Sequence, residues 1–345
     1  MNVIDLHETL WCQLQSRRGK LPHALLLSGI RGLGKGELAR EFAASLLCES
    51  THSDGRACGA CSACNWLGQG NHPDFRLLQP GALAESEPGD EGEAKDAPKK
   101  ASQQITIDQV RALDEFLHVG THRHGLRIII VRPAEAMNRS TANALLKTLE
   151  EPAPGTLFLL VSDEPERLLP TIRSRCQRVS VPLPSDENAR RWLSGAGVRE
   201  AERWLGLAGG APILAAELAA SGERQLIEAL IQQLARGGGI DPLAAAAALD
   251  KVVKSEKGAQ PMKRLMEWAQ KWLVDVSLRS TGLSSRYFVA EGSQLDAVVR
   301  AANPLRLLAF SRKSLQYKRQ AEHPLNSRLF LEDFFMGYAA IFDRR

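Results

Sequence analysis

The run from His23 to Gly36, HALLLSGIRGLGKG, constrains this chain more than any other stretch. Its first part, His23 to Gly29, is a short apolar segment ending in glycine, the pattern of a buried strand. Gly29 to Lys35 then fits the first seven positions of G-x-x-x-x-G-K-[ST]. In that motif glycines let successive backbone N–H groups turn inward around a phosphate, and the lysine adds a point charge. From Glu37 to Leu47, apolar residues at Leu38, Phe42, Ala43, Leu46 and Leu47 recur with helical spacing. Strand, glycine turn and helix in that order open a parallel α/β sheet. Gly29, Gly32, Gly34 and Lys35 are the candidate phosphate-binding residues.

The same loop lacks what hydrolysis needs. The position after Lys35 calls for a Ser or Thr hydroxyl on Mg²⁺, and here it is Gly36, which has no oxygen to offer. A hydrolytic P-loop protein also ends a core strand in acids that hold the metal and orient water. Here the β-branched run Arg127 to Val131 leads into Arg132-Pro133, a cation where an acid is required. Two readings of the loop remain: it holds a phosphate without cleaving it, through backbone N–H groups at the helix N-terminus, or it stands empty.

Further strands are expected at Asp74–Pro80, Leu157–Ser162 and Arg178–Pro184. Helices are expected at 6–18, at 105–117 with Asp108 as N-cap, and at 140–151 with an apolar stripe at Leu145, Leu146 and Leu149. Lys147 and Glu151 are spaced as an i,i+4 pair. Residues 81–104, rich in Gly, Ala, Glu, Pro and Lys without periodicity, read as a disordered surface loop. Beyond Pro184 only helical patterns occur, at 186–205, 212–235, 241–256, 262–280, 293–302, 305–321 and 328–342. Breaks fall at Gly237-Gly238-Gly239 and near Gly258 and Gly282.

Four of the six cysteines lie within residues 48–64, as Cys48-x9-Cys58-x2-Cys61-x2-Cys64. Overlapping C-x-x-C turns can point sulfurs inward, and a ligand from the preceding helix completes a tetrahedron, the pattern of a closed structural zinc site. Disulfides conflict with a cytoplasmic chain, and a redox C-x-x-C accounts for two of the thiols rather than four. Cys12 and Cys176 stand apart and read as ordinary thiols.

The start, MNVIDLHETLW, carries Asp5 and Glu8 and no apolar signal core, and no run approaches the ~18 apolar residues of a membrane span, so a cytoplasmic location is expected. The net charge of +4 hides an acidic stretch at 81–100, where six acids face three lysines and the remainder of the chain carries +7. That balance is compatible with a polyanionic partner and equally with a solvated surface.

The P-loop, the four-cysteine insertion, NALLKTLEEP (Asn143 to Pro152) and SRC (Ser174 to Cys176), in that order and spacing, resemble the clamp-loader subunits of bacterial DNA polymerase III, an AAA+ family. PERLLPTIRSRC, Pro165 to Cys176, is similar to the family's segment as well. The resemblance implies an AAA+ P-loop domain with inserted zinc module at 1–180, a helical lid at 181–222 and a helical collar at 223–345. It also implies a structural Zn²⁺ on Cys48, Cys58, Cys61 and Cys64, with ATP binding in doubt. Among these subunits, the missing magnesium ligands point to the non-hydrolysing stator rather than the ATP-hydrolysing tau/gamma subunit. Such a stator joins tau/gamma and delta subunits in a hetero-pentameric ring that places the sliding clamp on primed DNA. Arg175, in SRC, then matches the trans-acting arginine finger that reaches ATP bound in the neighbouring subunit. Ile213, just after GGAP (Gly209 to Pro212), stands where the family's ATPases carry a nucleotide-sensing arginine. Two rivals remain: a tau/gamma-type ATPase with altered metal ligands, and a zinc-dependent DNA-binding module, against which the lack of a basic recognition helix counts.

Overall fold

The computed structural model describes residues 2–84, 102–118, 125–255, 261–321, 323 and 326–343. By its internal packing the chain divides into two compact units, Met1–Asn188 and Ala189–Arg345. The first is an α/β unit. Two short helices, α1 (Val3–Leu6) and α2 (Glu8–Ser16), precede β1 (Ala24–Ser28) and α3 (Lys35–Leu47). Then come α4 (Ser62–Gly68), β2 (Phe75–Leu78), α5 (Gly81–Ala84), α6 (Ile107–His118), β3 (Arg127–Val131) and α7 (Arg139–Glu150). β4 (Thr156–Ser162), α8 (Pro170–Arg175) and β5 (Gln177–Ser180) complete it.

The five strands form one parallel sheet in the order β2-β3-β4-β1-β5. β1, β3 and β4 are buried along their whole length, whereas the edge strands β2 and β5 expose residues. This is why RIIIV and LFLLV are continuous apolar runs rather than alternating ones: both faces of a central parallel strand are covered. On one face Leu26, Ile129, Val131, Phe158 and Leu160 pack with Val110 and Leu113 of α6, Leu145 and Leu149 of α7, and Ile172 of α8. α3 packs on the sheet outside that cluster, against β1, β3 and β4. The register pairs Ser28 with Ser162 and Val131 with Leu160, so the carboxyl ends of β1, β3 and β4 lie along one edge of the sheet. In open α/β sheets ligands bind outside that edge.

Several expectations change in detail. Asp108 is not the cap of α6 but lies in its first turn. Thr106 and Gln109 form the reciprocal capping box instead: the Thr106 N–H donates to Gln109 Oε1 at 2.8 Å, and the Gln109 N–H to Thr106 Oγ1 at 3.4 Å. The expected helix 6–18 is α2, Glu8–Ser16, and His7 separates it from the short α1 before it. Of the expected loop 81–104, residues 85–101 lie outside the described residues. Its ends are ordered: α5 forms a helical turn, and the Ala82 N–H donates to the Ser102 carbonyl at 3.1 Å.

The second unit is helical: most of α9 (Asp186–Gly195), then α10 (Ala201–Leu207), α11 (Pro212–Ala220), α12 (Arg224–Leu234), α13 (Pro242–Ser255), α14 (Pro261–Ser280), α15 (Gly292–Ala301), α16 (Pro304–Gln320) and α17 (Ser327–Ala339). The expected helix 186–205 is interrupted before Ala201, where Gly197 (φ 72°) and Glu200 (φ 54°) are left-handed, and 212–235 breaks at Gly222 (φ 76°). The expected break near Gly258 lies outside the described residues. Trp268, Trp272 and Val276 of α14 are buried in the core, with Phe288 edge-on to Trp272. Asp275, fully buried, accepts the backbone N–H groups of Arg286 (2.8 Å), Tyr287 (2.9 Å) and Phe288 (2.6 Å). Three donors satisfy a carboxylate that burial alone would make costly. Among the described residues no helix is long and apolar enough to cross a membrane.

Candidate functional site

The phosphate loop follows β1, and its glycines are required by geometry. Gly32 (φ 82°) and Gly34 (φ 78°) are left-handed, and a Cβ on Gly29 would stand 2.8 Å from the Val181 carbonyl oxygen. Lys35, the first residue of α3, is buried, and its ammonium does not face open space. It pairs with Asp163, the residue after β4, at 2.5 Å and donates to the Ile30 carbonyl at 2.6 Å. Arg132, leaving β3 through a cis bond to Pro133, lays its guanidinium against the next position: a Cβ on Gly36 would meet Arg132 Nη1 at 3.0 Å. Arg132 Nε donates to Gln79 Oε1 at 3.1 Å, and Glu37 lies 3.9 Å from Nη1. Where a hydroxyl would hold Mg²⁺ there is a fixed cation, and two positive charges at that range repel. His7 ties the N-terminal helices to the loop, its Nε2 lying 2.7 Å from the Leu33 carbonyl. Burial holds its pKa below the ordinary histidine value.

Cys48 at the end of α3 and Cys58, Cys61 and Cys64 around the start of α4 bring their four Sγ atoms within 4.8 Å of one another. Cys48–Cys61 and Cys58–Cys64 are each separated by 3.9 Å. Sulfurs ~2.3 Å from a central ion at tetrahedral corners stand about 3.8 Å apart, so the donor set fits a four-coordinate thiolate site. Backbone N–H groups already point at the sulfurs: Cys58 to Cys48 at 3.3 Å, Cys61 to Cys58 at 3.3 Å and Cys64 to Cys61 at 3.4 Å. The N–H groups of Ala60 and Cys61 bring the Cys58 thiol down to about 6, while burial pushes the Cys64 thiol up. Left-handed Gly55 (φ 81°) and Gly59 (φ 70°) make the turns. Arg56 paired with Asp5 at 2.6 Å, and the Trp11 indole donating to the Asp54 carbonyl at 2.9 Å, dock this module on the N-terminal helices. The remaining thiols stay apart from it: Cys12 is exposed, and buried Cys176 is pushed up to about 11 by burial.

Arg175 closes α8 with a side chain 34% exposed, and Ile172 and Cys176 are buried on either side of it. Its Nη1 donates to the Thr171 carbonyl at 3.0 Å and its Nη2 pairs with Glu150 Oε1 at 2.6 Å. Glu150 is the last residue of α7, the NALLKTLEEP helix, in which Leu145 and Leu149 are buried and Leu146 is half-buried. Ile213 lies half-buried in the first turn of α11. Sequence reading missed both counter-ions, Asp163 and Glu150. An acid directly after a core strand was a visible signal for the first; the second pairs across a spacing that no helical or strand period connects.

Residues 7–184 match the family model described as DNA polymerase III, delta subunit. The chain is 36% identical over 283 residues to the DNA polymerase III subunit delta' of Pseudomonas aeruginosa, covering 80% of this chain and 77% of that protein. It is 33% identical to the delta' subunit of Escherichia coli K12, over 66% of this chain and 63% of that protein. The tau subunit of Escherichia coli K12 is 30% identical over 51% of this chain but 24% of its own length.

Proposed function

Because this chain belongs to the delta-prime family of DNA polymerase III subunits, we propose that it acts in the clamp loader as a stator that does not hydrolyse ATP. One observation carries this reading: the Arg132 guanidinium stands against Gly36 while Lys35 is spent on Asp163, so the loop satisfies itself and presents a cation where Mg²⁺ must sit. Arg175, solvent-accessible at the end of α8, serves as the finger supplied in trans to ATP bound by an adjoining tau/gamma subunit, where it stabilises charge on the transferred phosphoryl group. Cys48, Cys58, Cys61 and Cys64 hold Zn²⁺, which supplies a structural crosslink with no open position for catalysis. Residues 1–180 act as the AAA+ core, 181–222 as the lid and 223–345 as the collar. Tau/gamma and delta subunits complete a hetero-pentameric ring that loads the sliding clamp onto primed DNA.

Phosphate release by the purified chain with ATP and Mg²⁺ tests the first claim. Turnover at ordinary ATPase rates restores the tau/gamma-type reading. For the second, Arg175→Ala should leave folding and assembly intact and lower ATP hydrolysis by the reconstituted loader; unchanged hydrolysis removes the finger role.

A further inference from the structure

Resting on the finger reading of Arg175, we infer that Glu150 is its positioning residue: it holds the guanidinium preset for a phosphate in the adjoining subunit. An arginine carries five N–H donors in a rigid fork. Two are engaged within the chain, one on the Thr171 carbonyl and one on Glu150 Oε1, which leaves three to face a ligand. The two contacts come from different helices. The Thr171 bond fixes the side chain along its own helix, and the Glu150 contact fixes its swing toward α7, so together they set the plane of the fork. Both helices are anchored beneath, Leu149 and Ile172 lying in one buried cluster. A long side chain already biased toward one rotamer loses less of its freedom on meeting the phosphate.

The sequence position of Glu150 supports the same role. An acid in the last turn of a helix faces the negative end of the helix dipole, where a cation is favoured. Breaking a local rule at an accessible pair is expected at a functional site. The pair is built to orient rather than to lock: Arg175 and Glu150 side chains are 34% and 48% exposed, and an ion pair so wetted is weak.

The test uses the whole loader reconstituted with tau/gamma and delta subunits, measuring kcat and KM for ATP. Glu150→Ala should lower kcat about tenfold with KM unchanged, since only alignment is lost. Glu150→Gln, whose amide oxygen still accepts the hydrogen bond, should recover most of that loss, and it also serves where the alanine variant fails to assemble. Glu150→Ala added to Arg175→Ala should cost nothing further. If Arg175→Ala lowers hydrolysis while Glu150→Ala leaves it unchanged or raises it, the positioning role is overturned and the finger stands. Losses that multiply in the double variant also overturn it. Should Arg175→Ala itself change nothing, the finger reading falls and takes this inference with it.

Discussion

Asp163→Ala tests whether the P-loop lysine is satisfied by the protein itself. The Lys35 side chain is 2% exposed and that of Asp163 34%, so the two ends of this 2.5 Å pair differ in their access to water. Removing the carboxylate leaves a nearly dry ammonium held by the Ile30 carbonyl at 2.6 Å. Breaking a buried pair in this way costs ~3–5 kcal/mol, and the partial exposure of Asp163 places the expected loss near the lower figure, about 3 kcal/mol. Lys35→Met removes the charge but keeps most of the methylene packing, and Asp163 can then be hydrated, so that variant should lose no more than ~1 kcal/mol. The double variant should resemble Lys35→Met. Native-state hydrogen exchange of the β1 and β4 amides reads this unit selectively, and ~3 kcal/mol appears there as a rise of roughly 150-fold in opening. Equal losses in the two single variants, or a change below ~0.5 kcal/mol for Asp163→Ala, would refute the assignment of Asp163 as the lysine's counter-ion.

Metal analysis of the purified chain should find about one Zn²⁺, and Cys58→Ser should lose it along with protection of residues 48–64 from proteolysis; a metal-free chain with that segment intact speaks against the site. His7 has a folded pKa below its ordinary 6.5, so the unfolded chain binds more protons beneath that value and stability contributed by neutral His7 is lost as pH falls through and below 6.5. His7→Asn should flatten that acid limb in urea titrations between about pH 5 and 6.5, and an unchanged slope would count against it. Asp275→Ala should cost ~3 kcal/mol or more in urea unfolding by orphaning three backbone donors in the helical unit, and a loss under ~1 kcal/mol would show that those donors find other partners.

The α/β front was legible because its strands and glycines leave strong local marks. RIIIV and LFLLVS read as buried strands and are central ones, and Gly29, Gly32 and Gly34 stand where side chains are excluded or strained. The cysteine spacing was equally direct, since four thiols in seventeen positions have few ways to turn inward together. Helix breaks were harder to place. Glu200 is left-handed although glutamate has no preference for that region, so its residue type does not mark the boundary it makes. The cap of α6 was misplaced because Asp108 is a good capping residue by type, while the reciprocal bonds belong to Thr106 and Gln109. Side-chain partners at long separation escaped altogether. Arg132 was recognisable as a cation in an acid's place, but its approach to Gly36 follows from the β3–β4–β1 arrangement, which no local window contains.

Helix α3 begins at Lys35 and ends next to Cys48, thirteen residues that make a rod about 20 Å long. One tip is moored by an ion pair and the other by a sulfur cage. A beam pinned at both ends resists sliding along its axis and rolling about it, and the strands it packs on share that restraint. Steadiness of this kind is what the proposed stator role would call for.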